Sequence, residues 1–159
     1  MGTGKEKEFR LGAISDTHGL VRPEAVKALQ GVSHILHAGD IGKPEVLESL
    51  RAIAPVTAVR GNVDRGPWAY ALPVTEVVEL GGMSLYILHN IQELDLDPAA
   101  AGFRAVIYGH SHMPAIEERN GVLFLNPGSA GPRRFRLPVS LALLRVKEGN
   151  LLPQLITLG

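Results

Sequence analysis

The sequence predicts an α/β chain, two packed sheets with helices on their outer faces, and three observations carry that expectation. Apolar runs of strand length alternate with proline-opened amphipathic segments through the first half. Paired apolar runs joined by short polar or glycine links fill the second half. At 159 residues and 45% apolar composition, the chain can bury one sizeable core. We therefore expect a single domain over 1–159, without repeats or linkers, behind a charged, flexible start over 1–8.

The elements follow in order. Phe9 to Ser15 is a short apolar run, expected as a buried strand. Pro23 suits a first helical turn, Ala25, Val26 and Leu29 recur at helical spacing, and Gly31 stops the helix expected over Pro23 to Gln30. His34 to Ala38 is a second strand. Pro44 opens a second helix with Val46, Leu47, Leu50 and Ile53 on one face, and Val56 to Val59 is a third strand. This alternation implies parallel pairing with right-handed crossovers. Gly81-Gly82 then links Val74 to Leu80 with Met83 to His89, as in an antiparallel hairpin. A short helix is expected near Pro98 to Ala101, before a strand at Ala105 to Tyr108. Two further hairpins turn at Arg119-Asn120-Gly121, between Ala115 to Glu118 and Val122 to Leu125, and at Glu148-Gly149-Asn150, between Ser140 to Val146 and Leu151 to Thr157.

Composition narrows the chemistry. Sixteen basic residues balance sixteen acidic ones, so no global positive field holds a nucleic-acid backbone, and no nucleic-acid partner is expected. Cysteine is absent, which removes disulfides, thiolate metal sites and a cysteine nucleophile. Neither a signal peptide nor an apolar run of membrane-spanning length is present, so the expected setting is the cytoplasm, away from membranes. Without a Gly-rich P-loop, NTPase chemistry is disfavoured.

In open α/β sheets, ligands bind beyond the carboxyl ends of the strands. Here those ends are uniform in type: Asp16-Thr17-His18, Gly39-Asp40, Gly61-Asn62, His89 and Gly109-His110-Ser111-His112. Asp16 with His18, and His110 with His112, stand two apart, which in extended backbone turns both side chains to one side and lets each pair reach one centre. Imidazoles with carboxylates suit manganese, iron or zinc better than calcium. Seven candidate ligands (Asp16, His18, Asp40, Asn62, His89, His110, His112) exceed one ion's needs but suit two ions sharing a carboxylate, for which Asp40 is the natural bridge.

These residues resemble the calcineurin-like metallophosphoesterase superfamily, whose ordered motifs are DxH, GD, GNH, H and GHxH. With Asn126-Pro127-Gly128-Ser129, they resemble in particular its small bacterial and archaeal phosphodiesterase branch, which includes the retromer subunit Vps29. The resemblance spans roughly Leu11 to Leu155. It implies a four-layer α/β/β/α sandwich of two mixed sheets. It also implies a dinuclear phosphoesterase, with Asp16, His18, Asp40 and His112 on one ion and Asp40, Asn62, His89 and His110 on the other. Asp40, Asn62 and His110 would support a metal-bridging hydroxide that attacks phosphorus, and manganese is the first expectation, with zinc, iron or nickel as others.

Val63 stands where the GNH motif has its histidine, which implies a phosphodiesterase favouring good leaving groups over a monoesterase. Asp64 is a loop residue or a support for that position, and Asn90 follows His89 where relatives carry glycine. His34 and His37 are expected to be structural, with His37 close enough to tune Asp40. Asn126 to Ser129 is a turn that supports the site's rim. Arg133, within the cluster Arg133, Arg134 and Arg136, is the candidate for binding the small phosphoester substrate with Asn62, since guanidinium pairs phosphate bidentately. Trp68 and Tyr70 are expected to pack. The competing expectations are a catalytically weak or inactive protein-interaction scaffold like Vps29 and a metal-storage protein. Homo-oligomerisation is left open.

Overall fold

The computed structural model describes residues 8–159, so most of the start expected to be flexible lies outside the described residues. Ten strands form two mixed five-stranded sheets. The first sheet contains β1 (Phe9–Ile14), β2 (His34–His37), β3 (Val56–Ala58), β9 (Ser140–Lys147) and β10 (Asn150–Thr157) in the order β10-β9-β1-β2-β3. β1, β2 and β3 run parallel, whereas β9 is antiparallel to both β1 and β10. The second sheet is ordered β4-β5-β6-β8-β7, from β4 (Thr75–Leu80), β5 (Met83–Leu88), β6 (Phe103–Ile107), β7 (Ala115–Arg119) and β8 (Val122–Asn126). Here β5, β6 and β8 are parallel, and each hairpin partner, β4 or β7, lies at an edge.

Period-two alternation sends one side of each sheet into a shared core. Leu11, Ala13 and Leu36 from the first sheet meet Leu85, Ile87, Ile107 and Leu125 from the second. The opposite face of the first sheet, with Ile14 and Ile35, is covered by α1 (Pro23–Ala28) and α2 (Pro44–Arg51) through Ala25, Leu29, Val46 and Leu50. Both helices begin with proline, whose missing N–H costs nothing there. The outer face of the second sheet, Tyr86, Leu88, Val106 and Phe124, is covered by Ile91, Leu94 and Leu96, within and after a 3₁₀ turn at Ile91–Glu93. The sandwich is thus the expected one, with a thin layer on this side.

Two elements differ from expectation. Pro98 to Ala101 is a turn rather than a helix, because after the single Ala101 N–H to Asp97 carbonyl bond the Phe103 N–H closes back on the Pro98 carbonyl at 2.9 Å and Gly102, with φ of 86°, leads the chain directly into β6. Conversely, Pro67–Tyr70 forms a single helical turn, α3, in which Trp68 packs into the helix-side core as expected while Tyr70 is exposed. The hairpins close on two residues each. Gly81-Gly82, Asn120-Gly121 and Glu148-Gly149 all have positive φ at both corners, the turn whose twist matches antiparallel strands. Among the described residues, no helix is long and apolar enough to cross a membrane.

Candidate metal centre

The carboxyl ends of β1, β2, β3, β5 and β6 open along one edge of the sandwich, where the two sheets meet. The first sheet delivers Asp16, His18, Asp40 and Asn62, and the second delivers His89, His110 and His112. Asp16 Oδ1 lies 3.4 Å from His112 Nε2 and 3.9 Å from both His18 Nε2 and His89 Nε2. Asp40 Oδ2 lies 3.2 Å from His89 Nε2 and 3.7 Å from His18 Nε2. Two groups are close enough to hold an ion each: Asp16, His18 and His112, and Asp16, Asp40 and His89. Asp16 is common to both, while Asp40 also reaches toward both His18 and His89.

His110 and Asn62 stand outside these groups. Both are exposed and line, with His89, Arg60, Val74 and Asn90, a cavity of about 220 Å³ beside the cluster. His112 packs against His18 with ring centroids 5.3 Å apart, and His110 against His89 at 5.2 Å. The Asp16/His18 pair thus meets at one centre as expected, but the His110/His112 pair does not, and neither pair is aimed by extended backbone. Asp16, His18, His110 and His112 all have positive φ, from 47 to 73°, so left-handed turns aim these side chains and the His110/His112 pair divides between two neighbours.

The surrounding bonds leave ligand atoms bare. His89 Nδ1 donates to the Ala38 carbonyl at 2.8 Å, which turns its Nε2 toward the Asp40 carboxylate. Asp16 Oδ2 accepts from Ser15 Oγ at 2.7 Å and the His110 N–H at 3.1 Å, which leaves Oδ1 pointing into the cluster. Among the described residues, Asp16 Oδ1, His18 Nε2, His89 Nε2 and His112 Nδ1 are buried without a hydrogen-bond partner. Buried polar atoms are nearly always partnered, and bare carboxylate and imidazole atoms gathered in one cluster are what a divalent cation satisfies. The donor set fits such an ion.

Electrostatics agree. Burial works against ionising Asp40, but His89, the Val63 N–H and His18 together hold its carboxyl down to about 2. Burial likewise opposes a charge on His89, yet Asp40 and Asp16 raise its pKa above the usual imidazole value. The site therefore attracts positive charge.

Supporting residues are largely buried. Asp64 accepts from the N–H groups of Ile41, Gly42 and Gly61 at 2.8–3.1 Å, fastening the loop after β2 to the loop after β3. His37, fully buried, accepts the Gly39 N–H at Nδ1 and donates through Nε2 to Thr17, which itself donates to the Ile41 carbonyl. It joins the Asp16 and Asp40 loops, while His34 bonds Thr57 on the neighbouring strand. Asn126 donates to the Gly109 carbonyl and Ser111 Oγ, and Ser129 Oγ donates to the Asp16 carbonyl, so the turn expected at the rim does brace the ligand loops. Asn90 caps the 3₁₀ turn through the Gln92 N–H. Sequence reasoning missed Ser15, whose signal was a small hydroxyl beside Asp16. Gly109 lies against Ser15 Oγ and Asp16 Oδ2 so closely that a side chain would displace the carboxylate. Arg133 and Arg134 line, with His18, His112 and Pro132, a second cavity of about 300 Å³.

A family model described as the calcineurin-like phosphoesterase superfamily domain matches residues 9–149. A probable metallophosphoesterase from Methanothermobacter thermautotrophicus is 35% identical over 161 residues, covering 94% of this chain and 92% of that protein. Phosphodiesterase YfcE of Escherichia coli K12 is 28% identical, over 86% of this chain and 87% of its own. Among solved structures, an archaeal phosphodiesterase aligns with a TM-score of 0.77 at 22% identity, covering 92% and 99% of the two chains. Vacuolar Protein Sorting 29 from Cryptosporidium parvum aligns with a TM-score of 0.76 at 21% identity, covering 94% and 98%. At those identities the two structures share the fold.

Proposed function

The chain belongs to the calcineurin-like phosphoesterase superfamily of metal-dependent phosphoesterases, and from that premise we propose that it is a dinuclear phosphodiesterase acting on a small phosphodiester. The observation that carries the reading is the set of four buried, unpartnered atoms on Asp16, His18, His89 and His112, with Asp16 and His89 held in place by bonds on their far sides. Asp16, His18, Asp40 and His112 would hold one ion, and Asp40, Asn62, His89 and His110 the other, with manganese the first choice. When bound, such ions supply an activated water nucleophile and neutralise charge on the phosphoryl oxygens.

The chain's own groups do the rest. Asn62 and Arg133, on the two cavities flanking the cluster, donate to phosphoryl oxygens and orient the ester. Asp40 and Asp16 hold the negative charge that balances the ions. In hydrolysis a P–O bond to water's oxygen forms as the bond to the leaving alcohol breaks. The exposed, apolar Val63 side chain provides no proton for that alcohol, which favours leaving groups that depart as anions. Names given to relatives, metallophosphoesterase and phosphodiesterase, support this reading over a scaffold, as does the complete set of seven ligand types. The cytoplasm is its proposed location.

The test is hydrolysis of bis(p-nitrophenyl) phosphate beside p-nitrophenyl phosphate, using chelator-stripped protein with and without manganese. We expect manganese-dependent diester cleavage exceeding monoester cleavage, and loss of at least about a hundredfold in Asp40→Asn. No cleavage of either ester with manganese, zinc, iron or nickel would overturn the proposal and favour the scaffold.

A further inference from the structure

We propose that the loop from Gly131 to Pro138 is a nucleotide-binding arm of the site, so that the diester it takes carries a nucleoside: Arg133 and Arg134 hold phosphate while Phe135 stacks on the base. This rests on the phosphodiesterase reading and adds the substrate class. Phe135 is 87% exposed, the extreme among the exposed large hydrophobic side chains of the described residues. It also has φ of 54°, a conformation bulky residues rarely adopt. The turn that presents it is closed by the Leu137 N–H donating to the Arg134 carbonyl at 3.1 Å.

The start of the loop is tied to the metal-ligand loops. Arg22 donates twice to the Gly131 carbonyl, at 3.1 and 3.3 Å, and the Ala130 N–H donates to the Ser15 carbonyl at 3.0 Å. Gly131 lies against the Asp16 and Thr17 carbonyls with no room for a side chain. The next residues, Pro132 to Arg134, form one wall of the cavity whose other wall is His18 and His112. Phe135 follows immediately, with Arg136 beyond it.

Charge selects the occupant. The chain has no net charge, yet the whole stretch from 119 to 147 contains no Asp or Glu, and three guanidiniums flank the one aromatic ring of the loop. An apolar protein surface would be poorly served by that surround, whereas a phosphate bound by guanidinium with a planar base over an aromatic face uses each part. Only the small-molecule form is proposed, because the balanced total charge gives an extended backbone nothing to track.

The experiment compares two diesters with the same leaving group, thymidine 5′-p-nitrophenyl phosphate and methyl p-nitrophenyl phosphate, on manganese-loaded protein. The wild type should favour the nucleoside ester, and Phe135→Ala should lower the ratio of the two kcat/KM values about tenfold, through KM. Phe135→Tyr should restore it. An equal fall for both esters, or no fall, overturns the inference. Calorimetric titration of chelator-treated protein with thymidine 5′-monophosphate and with methyl phosphate gives a readout without turnover. Phe135→Ala should weaken the first about tenfold more than the second. If the wild type cleaves neither diester, the phosphodiesterase reading falls, and the titration alone decides this one by the same criterion.

Discussion

His37 carries no charge in the folded protein, and that neutrality has a pH signature. Its Nδ1 is occupied by an incoming N–H and the ring is fully buried, so desolvation lowers its pKa from 6.5 to about 4, against the pull of Asp16 and Asp64. An unfolded chain takes up this proton below about 6.5 and the folded one only below about 4. Stability from this residue is therefore complete above pH 6.5 and declines as pH falls toward 4, by on the order of 3 kcal/mol in total. The difference in unfolding free energy between wild type and His37→Gln should shrink by that order across pH 6.5 to 4 in denaturant titrations; a constant difference would refute it. In the sequence His37 was legible as structural, but its partners were not, since Thr17 lies twenty residues away. The candidate ligands themselves were legible by type. Their backbone was not, because φ above zero at Asp16, His18, Asp40, His110 and His112 is imposed by loop-to-loop bonds and costs local strain that no propensity foretells.

Strands and hairpins were read from periodicity and turn chemistry because each of those signals lies within a few neighbouring residues. Pro98 to Ala101 misled because its start signals are genuine, Asp97 Oδ1 capping the N–H groups of Ala99 and Ala100, but Gly102 at a φ of 86° ends the turn before a second one forms. The ligand loops are governed by residues distant in sequence, and Asp64 shows how much one side chain does there. Three backbone N–H groups from two loops converge on its carboxylate. Asp64→Asn replaces an acceptor with a donor facing those groups, so we expect a loss of about 1–3 kcal/mol in denaturant unfolding. Manganese affinity should weaken by about 10- to 100-fold in a calorimetric titration, because the loops bearing Asp40 and Asn62 are no longer fastened together. Wild-type values for both would show that the clamp is dispensable.

At the scale of the molecule, the candidate ligands are divided between the two sheets, so a bound ion ties one sheet to the other across their shared edge. Metal should therefore stabilise the fold as a whole. At a manganese concentration about a hundredfold above Kd, stabilisation is about 2.7 kcal/mol, which for a domain of this size raises Tm by about 5–10 °C. Thermal unfolding with chelator and with manganese should differ by that amount, and Asp40→Asn should remove most of the difference. An identical Tm in both conditions would mean that the cluster does not bind the ion.

The order of strands in the first sheet has a further consequence, for the chain as it leaves the ribosome. β1 is the central strand, yet its antiparallel neighbour β9 begins only at residue 140, with β10 beyond it. Residues 129 to 131, which fasten the Asp16 loop, also arrive late. Until β9 is made the nascent chain therefore displays an unpaired apolar edge along β1, while β2 and β3 can already pair on the other side. Truncation before β9 leaves that edge open as a template for aggregation, and the candidate ligand loops acquire their bracing only once residues 129 to 131 have been made.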